Sequence, residues 1–219
     1  MKRRLEAELM TDAAQVKAYA EADFSTPNQY FIECLSRFID DPAFCGHALD
    51  LGCGPGDISL RFVQHFTQAY VDALDASKPM LDYAKAACPP ALARRCQFLT
   101  GYIPTVVLPR NHYEVIFSNS LLHHLPDPHS LWQTIKHVSH SGTRVVIMDL
   151  MRPESPQQAQ DIVNTYAKNE PALLQHDFYY SLLAAFNINE ITDQLHYQQL
   201  PFTCQASTDR HLLITGVMP

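Results

Sequence analysis

The chain has 219 residues, 47% of them hydrophobic and 18% charged, with a formal net charge of −7. That is enough to bury a full core in one domain. Basic residues cluster only at Lys2-Arg3-Arg4, and without a stripe of Lys and Arg the chain lacks the usual hold on RNA or DNA. The six cysteines (Cys34, Cys45, Cys53, Cys88, Cys96 and Cys204) show no C-x-x-C spacing, so no zinc site is expected and reduced thiols in a cytoplasmic protein are. No apolar stretch has the length of a signal peptide or a membrane span.

Residues 3–22 are rich in Ala, Glu, Leu and Lys and predict a helix. A break at Ser25-Thr26-Pro27 follows, with Thr26 as N-cap and Pro27 in the first helical position. A second helix is expected over 28–39, with Tyr30, Phe31, Cys34, Leu35 and Phe38 at helical spacing, ending at Asp40-Asp41-Pro42.

The first strand, 47–51, runs into Asp50-Leu51-Gly52-Cys53-Gly54-Pro55-Gly56-Asp57. A buried strand breaking into alternate glycines before a helix, here about 57–66, is a ligand cradle: glycine allows backbone angles closed to other residues and lets a ligand reach the main chain. The dinucleotide pattern G-x-G-x-x-G is met by Gly52 and Gly54, but its third place falls on Asp57. An acid before the first glycine would sit badly against a pyrophosphate and well beside an ammonium or sulfonium. A second strand, 70–74, stops at Asp75, about 20 residues past the turn, where a carboxylate can accept hydrogen bonds from a ribose. Asp75 could instead cap the helix of 78–87, but Ser77 is placed for that.

The pattern Asp50-x-Gly52-x-Gly54-x-Gly56 resembles the first motif of the class I S-adenosylmethionine (SAM)-dependent methyltransferases, and Asp75 matches that family's ribose-binding acid by position. The resemblance implies SAM as cofactor, held by Asp50, Gly52, Cys53, Gly54, Gly56, Asp75 and Ala76. It also implies an α/β fold: a Rossmann-like seven-stranded sheet, parallel except for the last strand, flanked by helices. In the family the leading helices often close over the ligand, which would bring Tyr19 and Phe24 to it; packing against the sheet is the other reading.

A third strand, 96–99, leads to Thr100-Gly101-Tyr102-Ile103-Pro104. Many family members have a Gly-Asp pair here for the adenine. This chain has Tyr102 in place of the acid, so backbone groups of Tyr102 and Ile103, or the Tyr102 ring, would take that part. The fourth strand, 113–118, runs into Asn119-Ser120-Leu121-Leu122-His123-His124-Leu125-Pro126-Asp127-Pro128. By resemblance these residues line the seam between cofactor and acceptor, with Asn119 at the methionine end. His123 and His124 are the catalytic candidates, His124 first as base or acceptor-orienting group, since imidazole is poised for proton transfer near neutral pH; both could equally be structural. Despite eleven histidines, no H-E-x-x-H spacing appears, and no metal is expected.

A helix at 130–139 and a fifth strand from Arg144 to Met148, ending at Asp149, complete the core. Helical sequence to about 186 follows and reads as a cap whose Tyr166, His176, Asp177, Phe178, Tyr179 and Tyr180 wall an acceptor pocket or form the cap's own core. Helix 188–197 and two closing strands, 200–206 and 211–217, end the chain. The organisation is thus one domain: N-terminal helices 1–42, SAM-binding core 43–150, cap 151–187, closing elements 188–219. The expected function is methyl transfer from SAM to oxygen or carbon of a small-molecule acceptor. A NAD-linked oxidoreductase and a SAM-binding protein without catalysis are the alternatives. No nucleic acid and no membrane span are expected, and a homodimer stays open.

Overall fold

The computed structural model describes residues 1–6 and 12–219. In it the chain folds as α1 (Ala13–Glu21), α2 (Ser25–Ile39), β1 (His47–Leu51), α3 (Asp57–His65), β2 (Tyr70–Asp75), α4 (Lys78–Ala87), β3 (Cys96–Thr100), β4 (Val115–Asn119), a short 3-10 turn (Leu122–His124), α5 (His129–His137) and β5 (Arg144–Leu150). The remainder is α6 (Pro156–Tyr166), α7 (Ala172–Ala184), α8 (Ile188–Tyr197), β6 (Phe202–Ala206) and β7 (His211–Val217).

The seven strands form one sheet in the order β3-β2-β1-β4-β5-β7-β6. Strands β1 to β5 pair in parallel, and β7 runs antiparallel to both of its neighbours. This is the expected sheet. From β1 the chain first builds outward through β2 and β3, then returns to place β4 on the other side of β1. Ligands of open α/β sheets bind at such a reversal, outside the carboxyl ends of the strands.

The strands bury both faces, as central parallel strands must. Leu49, Leu51, Ile116, Val145 and Ile147 join one cluster with Trp132, Ile135, Ile191 and Leu195 of α5 and α8. Ala48, Phe117, Val146 and Met148 point the other way, into a cluster with Phe31, Ile32 and Leu35 of α2 and Phe62 and Val63 of α3. The alternation follows from the two-residue repeat of a strand.

Two expectations at the N-terminus are corrected. Residues 1–6 carry no helix. Helix α1 starts at Ala13, because the Asp12 side chain accepts the N–H groups of Ala14 and Gln15, both at 3.0 Å. The rest of the expected helix, 7–11, lies outside the described residues. Thr26 is not an N-cap: α2 begins at Ser25, whose N–H is taken by Asp23 Oδ1 at 2.9 Å. The helices after β5 form a small core of their own, with Ala159, Ile162 and Val163 of α6 against Leu182 and Leu183 of α7, and Phe178 and Tyr179 pack on it.

Candidate active site

The glycine turn begins where β1 ends. Gly52, Gly54 and Gly56 have φ of +77°, +52° and +83°, the left-handed region that side chains resist. The N–H groups of Gly52 and Cys53 both donate to Leu74 O, at 2.8 and 2.9 Å, which pins the turn to the end of β2. There the Asp75 carboxylate accepts from Gly54 N at 2.8 Å and Ser77 N at 2.7 Å. Ser77 is the N-cap of α4, as expected of it. A Cβ on Gly52 would meet Leu121 at 2.9 Å, whereas one on Gly54 would have nothing within 4 Å. Gly54 thus presents bare backbone to open space. Gly56 serves packing: a Cβ there would run into Ala84 and Phe98 at 2.9 Å.

That open space is a cavity of about 390 Å³, within the range of small-molecule sites. Asp50, Gly52, Cys53, Gly54, Asp75, Ala76, Tyr102, Ile103, Asn119 and His124 line it. Tyr19 and Phe24 close it from the α1–α2 side, their rings 4.9 Å apart. Among the expected site residues, Gly56 and His123 are not on its wall, and neither is Tyr166, His176, Asp177, Phe178, Tyr179 or Tyr180 of the cap.

Electrostatics at the two ends of the cavity differ. Asp50 is fully buried and takes the Ser59 hydroxyl at 2.5 Å. Burial pushes its carboxyl up to about 7, with the Ser59 bond pulling the other way. It is a buried acid whose charge is penalised by its surroundings, so it would gain from a cation in the cavity. Asp75 is likewise raised by burial, opposed by its backbone donors at Ser77 and Gly54. Burial also raises the Cys53 thiol well above its usual range, so it is a packing residue in the turn, not a thiolate.

At the far end, past β4, the two histidines do different things. His123 is buried, with Nδ1 at 2.6 Å from Asp149 Oδ1. Asp149 also accepts the backbone N–H of Leu122 at 2.6 Å and of Leu150 at 2.7 Å. Burial alone would lower the His123 imidazole, but Asp149 and then Glu6 outweigh it and hold it above its ordinary value. His124 faces the cavity. Its Nδ1 lies 2.8 Å from Glu6 Oε1, at ion-pair distance but off the line of a hydrogen bond. Glu6 arrives on the segment 1–6, which Arg3 ties down by donating to Ala184 O at 2.5 Å and to His123 O and Leu125 O, both at 2.9 Å. Glu6 has no local sequence signal linking it to residues more than a hundred positions away. Asp149 did have one, as an acid closing an apolar strand.

A family model described as "Methyltransferase domain" matches residues 48–142. Among curated proteins, the demethylmenaquinone methyltransferase of Chlamydia pneumoniae is 31% identical over 106 residues, 48% of this chain and 45% of that protein. The trans-aconitate 2-methyltransferase of Escherichia coli (strain SE11) is 33% identical over 86 residues, 39% of this chain and 32% of that protein. The chain thus spans less than half the length of the curated relatives it matches. Among solved structures, a SAM-dependent methyltransferase from Aquifex aeolicus superposes with a TM-score of 0.67 at 16% identity, covering 94% of this chain and 98% of that one. A plantazolicin methyltransferase in complex with a pentazolic desmethylPZN analog and S-adenosylhomocysteine (SAH) gives 0.70 at 14% identity, covering 94% and 92%. These likenesses carry the fold across nearly the whole chain, and the sequence match falls on the strand and glycine turn that build the cavity. Residues 48–142 thus match a methyltransferase domain, and the chain as a whole has the fold of SAM-dependent methyltransferases.

Proposed function

We propose that this protein binds SAM in the cavity and transfers its methyl group to an oxygen or carbon of a small-molecule acceptor. The observation that carries the reading is Gly54: its backbone opens onto the cavity while its N–H is held by Asp75. The cofactor, when bound, supplies a methyl group activated on a sulfonium. In this reading Asp75, with Ala76 beside it, takes the ribose hydroxyls. Tyr102 and Ile103 border the adenine. Asp50, Gly52, Cys53, Gly54 and Asn119 receive the amino-acid end, where the buried Asp50 offers its charge to a cation. Gly56 supports the turn from behind.

The work left to the protein is to align the acceptor and exclude water. Tyr19 and Phe24 cover the cavity. His124, the imidazole on the wall next to Leu125, holds and orients the acceptor's polar atom, and His123 sets its position from behind, the two rings lying 4.1 Å apart. A small acceptor, as opposed to nucleic acid, is supported by the net charge of −7. All six cysteines are free thiols, which supports a reducing, cytoplasmic setting.

The test is incubation with isotopically labelled SAM and a panel of small hydroxy acids, enols and phenols, following SAH formation and label in the product. Transfer to a panel member that falls strongly in His124→Ala supports the reading. A kcat within a few-fold of wild type in that variant would remove His124 from the acceptor site.

A further inference from the structure

We infer that Glu6, His123 and His124 form a binding site for a divalent transition-metal ion, zinc being the first candidate, at the acceptor end of the cavity. Glu6 Oε1 lies 3.6 Å from His123 Nε2 and 2.8 Å from His124 Nδ1. The three donor atoms lie within 4.8 Å of one another. Donors held about 2.0–2.2 Å from a tetrahedral ion stand roughly 3.4 Å apart. The two separations from Glu6 straddle that value, so the carboxylate already stands near ligand spacing from both imidazoles.

Hydrogen bonding does not account for the cluster. The His123–Glu6 separation is too long for a good hydrogen bond. The closer pair is misaligned, so His124 Nδ1 is buried without a hydrogen-bond partner. Buried polar atoms are normally satisfied, and a bound ion is one of the partners that would satisfy this one.

The surroundings match what a metal-bound imidazole requires. Asp149 takes Nδ1 of His123 at 2.6 Å, which leaves Nε2 as the ring atom facing Glu6. A carboxylate behind a ligating histidine fixes its tautomer and direction. Asp149 is itself held by backbone N–H groups on both sides, and Ser181 donates to Glu6 Oε1 at 3.0 Å. Glu6 and Asp149 together offset a dication. Two imidazoles and one carboxylate favour zinc or a neighbouring first-row ion over magnesium, which prefers an all-oxygen shell.

His124 is both a ligand and part of the cavity wall, so the ion's remaining positions turn toward the acceptor. Its role there rests on the methyl-transfer reading; the site itself stands on its own geometry. A hydroxyl or enol oxygen that joins the ion releases its proton to water, and the ion stabilises the oxyanion that remains. The acceptor class narrows accordingly to molecules with an ionisable oxygen.

The experiment uses the full chain, stripped with a chelator and titrated with zinc in competition with a chromogenic chelator. Wild type should bind about one zinc per chain, and Glu6→Gln and His124→Ala should each weaken it roughly tenfold or more. X-ray absorption should show only nitrogen and oxygen neighbours. Binding of SAH, measured separately by calorimetry, should stay within about threefold of wild type in Glu6→Gln, which shows that the variant is folded. No zinc retained by the wild type, affinity in both variants unchanged from wild type, or sulfur around the metal would overturn the proposal. Zinc binding by a protein that takes no SAH would keep the metal site and remove the methyl-transfer reading.

Discussion

Asp75 Oδ2 accepts the backbone N–H of Gly54 at 2.8 Å. One acid at the end of β2 therefore braces the glycine turn after β1, and through its other oxygen it holds the start of α4 at Ser77. The brace and the proposed ribose contact use the same carboxylate. A carboxylate has about four lone-pair sites, so beside its backbone donors Gly54, Ser77 and Ala76 it keeps room for a hydroxyl.

The glycines should separate stability from binding. In Gly52→Ala the new methyl meets Leu121 at 2.9 Å with φ at +77°, and we expect a loss of about 2 kcal/mol or more by chemical denaturation. In Gly54→Ala nothing lies within 4 Å, so only the left-handed backbone costs, about 1–2 kcal/mol. The methyl would instead occupy cavity space, and SAH affinity should fall at least tenfold in calorimetry. Unchanged affinity in Gly54→Ala would place the cofactor elsewhere.

Affinity for SAH should depend on pH through Asp50. Its carboxyl is pushed up to about 7 by burial in the free protein. A ligand ammonium beside it favours the ionised form and lowers that value, so binding releases a proton. Affinity should then rise with pH up to about 7 and level off above it, with a slope approaching tenfold per unit at its steepest. Stability runs the other way. A carboxyl raised above its unfolded value favours folding below that value, and the benefit is lost as pH rises through about 7. Asp50→Asn should accordingly raise Tm at alkaline pH while weakening SAH binding. Thermal scans and titrations across pH check both, and affinity that grows on acidification would contradict the account.

Arg3 should matter to the acceptor end and not to the cofactor end. Its guanidinium serves three carbonyls, of Ala184, His123 and Leu125, and lies 3.8 Å over the Phe186 ring. Arg3→Ala leaves those carbonyls without their donor and releases the segment carrying Glu6. We expect faster proteolysis of the N-terminal segment and a lower kcat on the acceptor, with SAH affinity within about threefold of wild type. Equal protease resistance in mutant and wild type would show that the segment is held by something else.

The central strands were legible because they are short apolar runs closed by acids or glycines. The β1 and β2 boundaries, the turn at Gly52-Gly54-Gly56 and the cap of α4 at Ser77 all follow from local chemistry. The N-terminus was not. Arg3 and Glu6 sit in a stretch with helical composition, yet their partners are His123, His124, Leu125, Ser181 and Ala184. Helix propensity amounts to tenths of a kcal/mol per residue and yields to such long-range bonds. The cluster of Glu6, His123 and His124 escaped motif reading for the same reason: its spacing exists in space and not along the chain. The cap's aromatic residues left two readings open, and composition could not choose between them, because a cap core and a pocket wall call for the same side chains.

The most direct test of the central claim is calorimetric titration of the purified protein with SAH, repeated on Asp75→Ala. Micromolar binding by the wild type that falls at least tenfold in the variant is the predicted result, since the variant loses both the ribose acceptor and the brace on Gly54. A folded, ligand-free wild type that gives no binding, or a variant that binds as tightly as wild type, would contradict the assignment of this cavity to SAM.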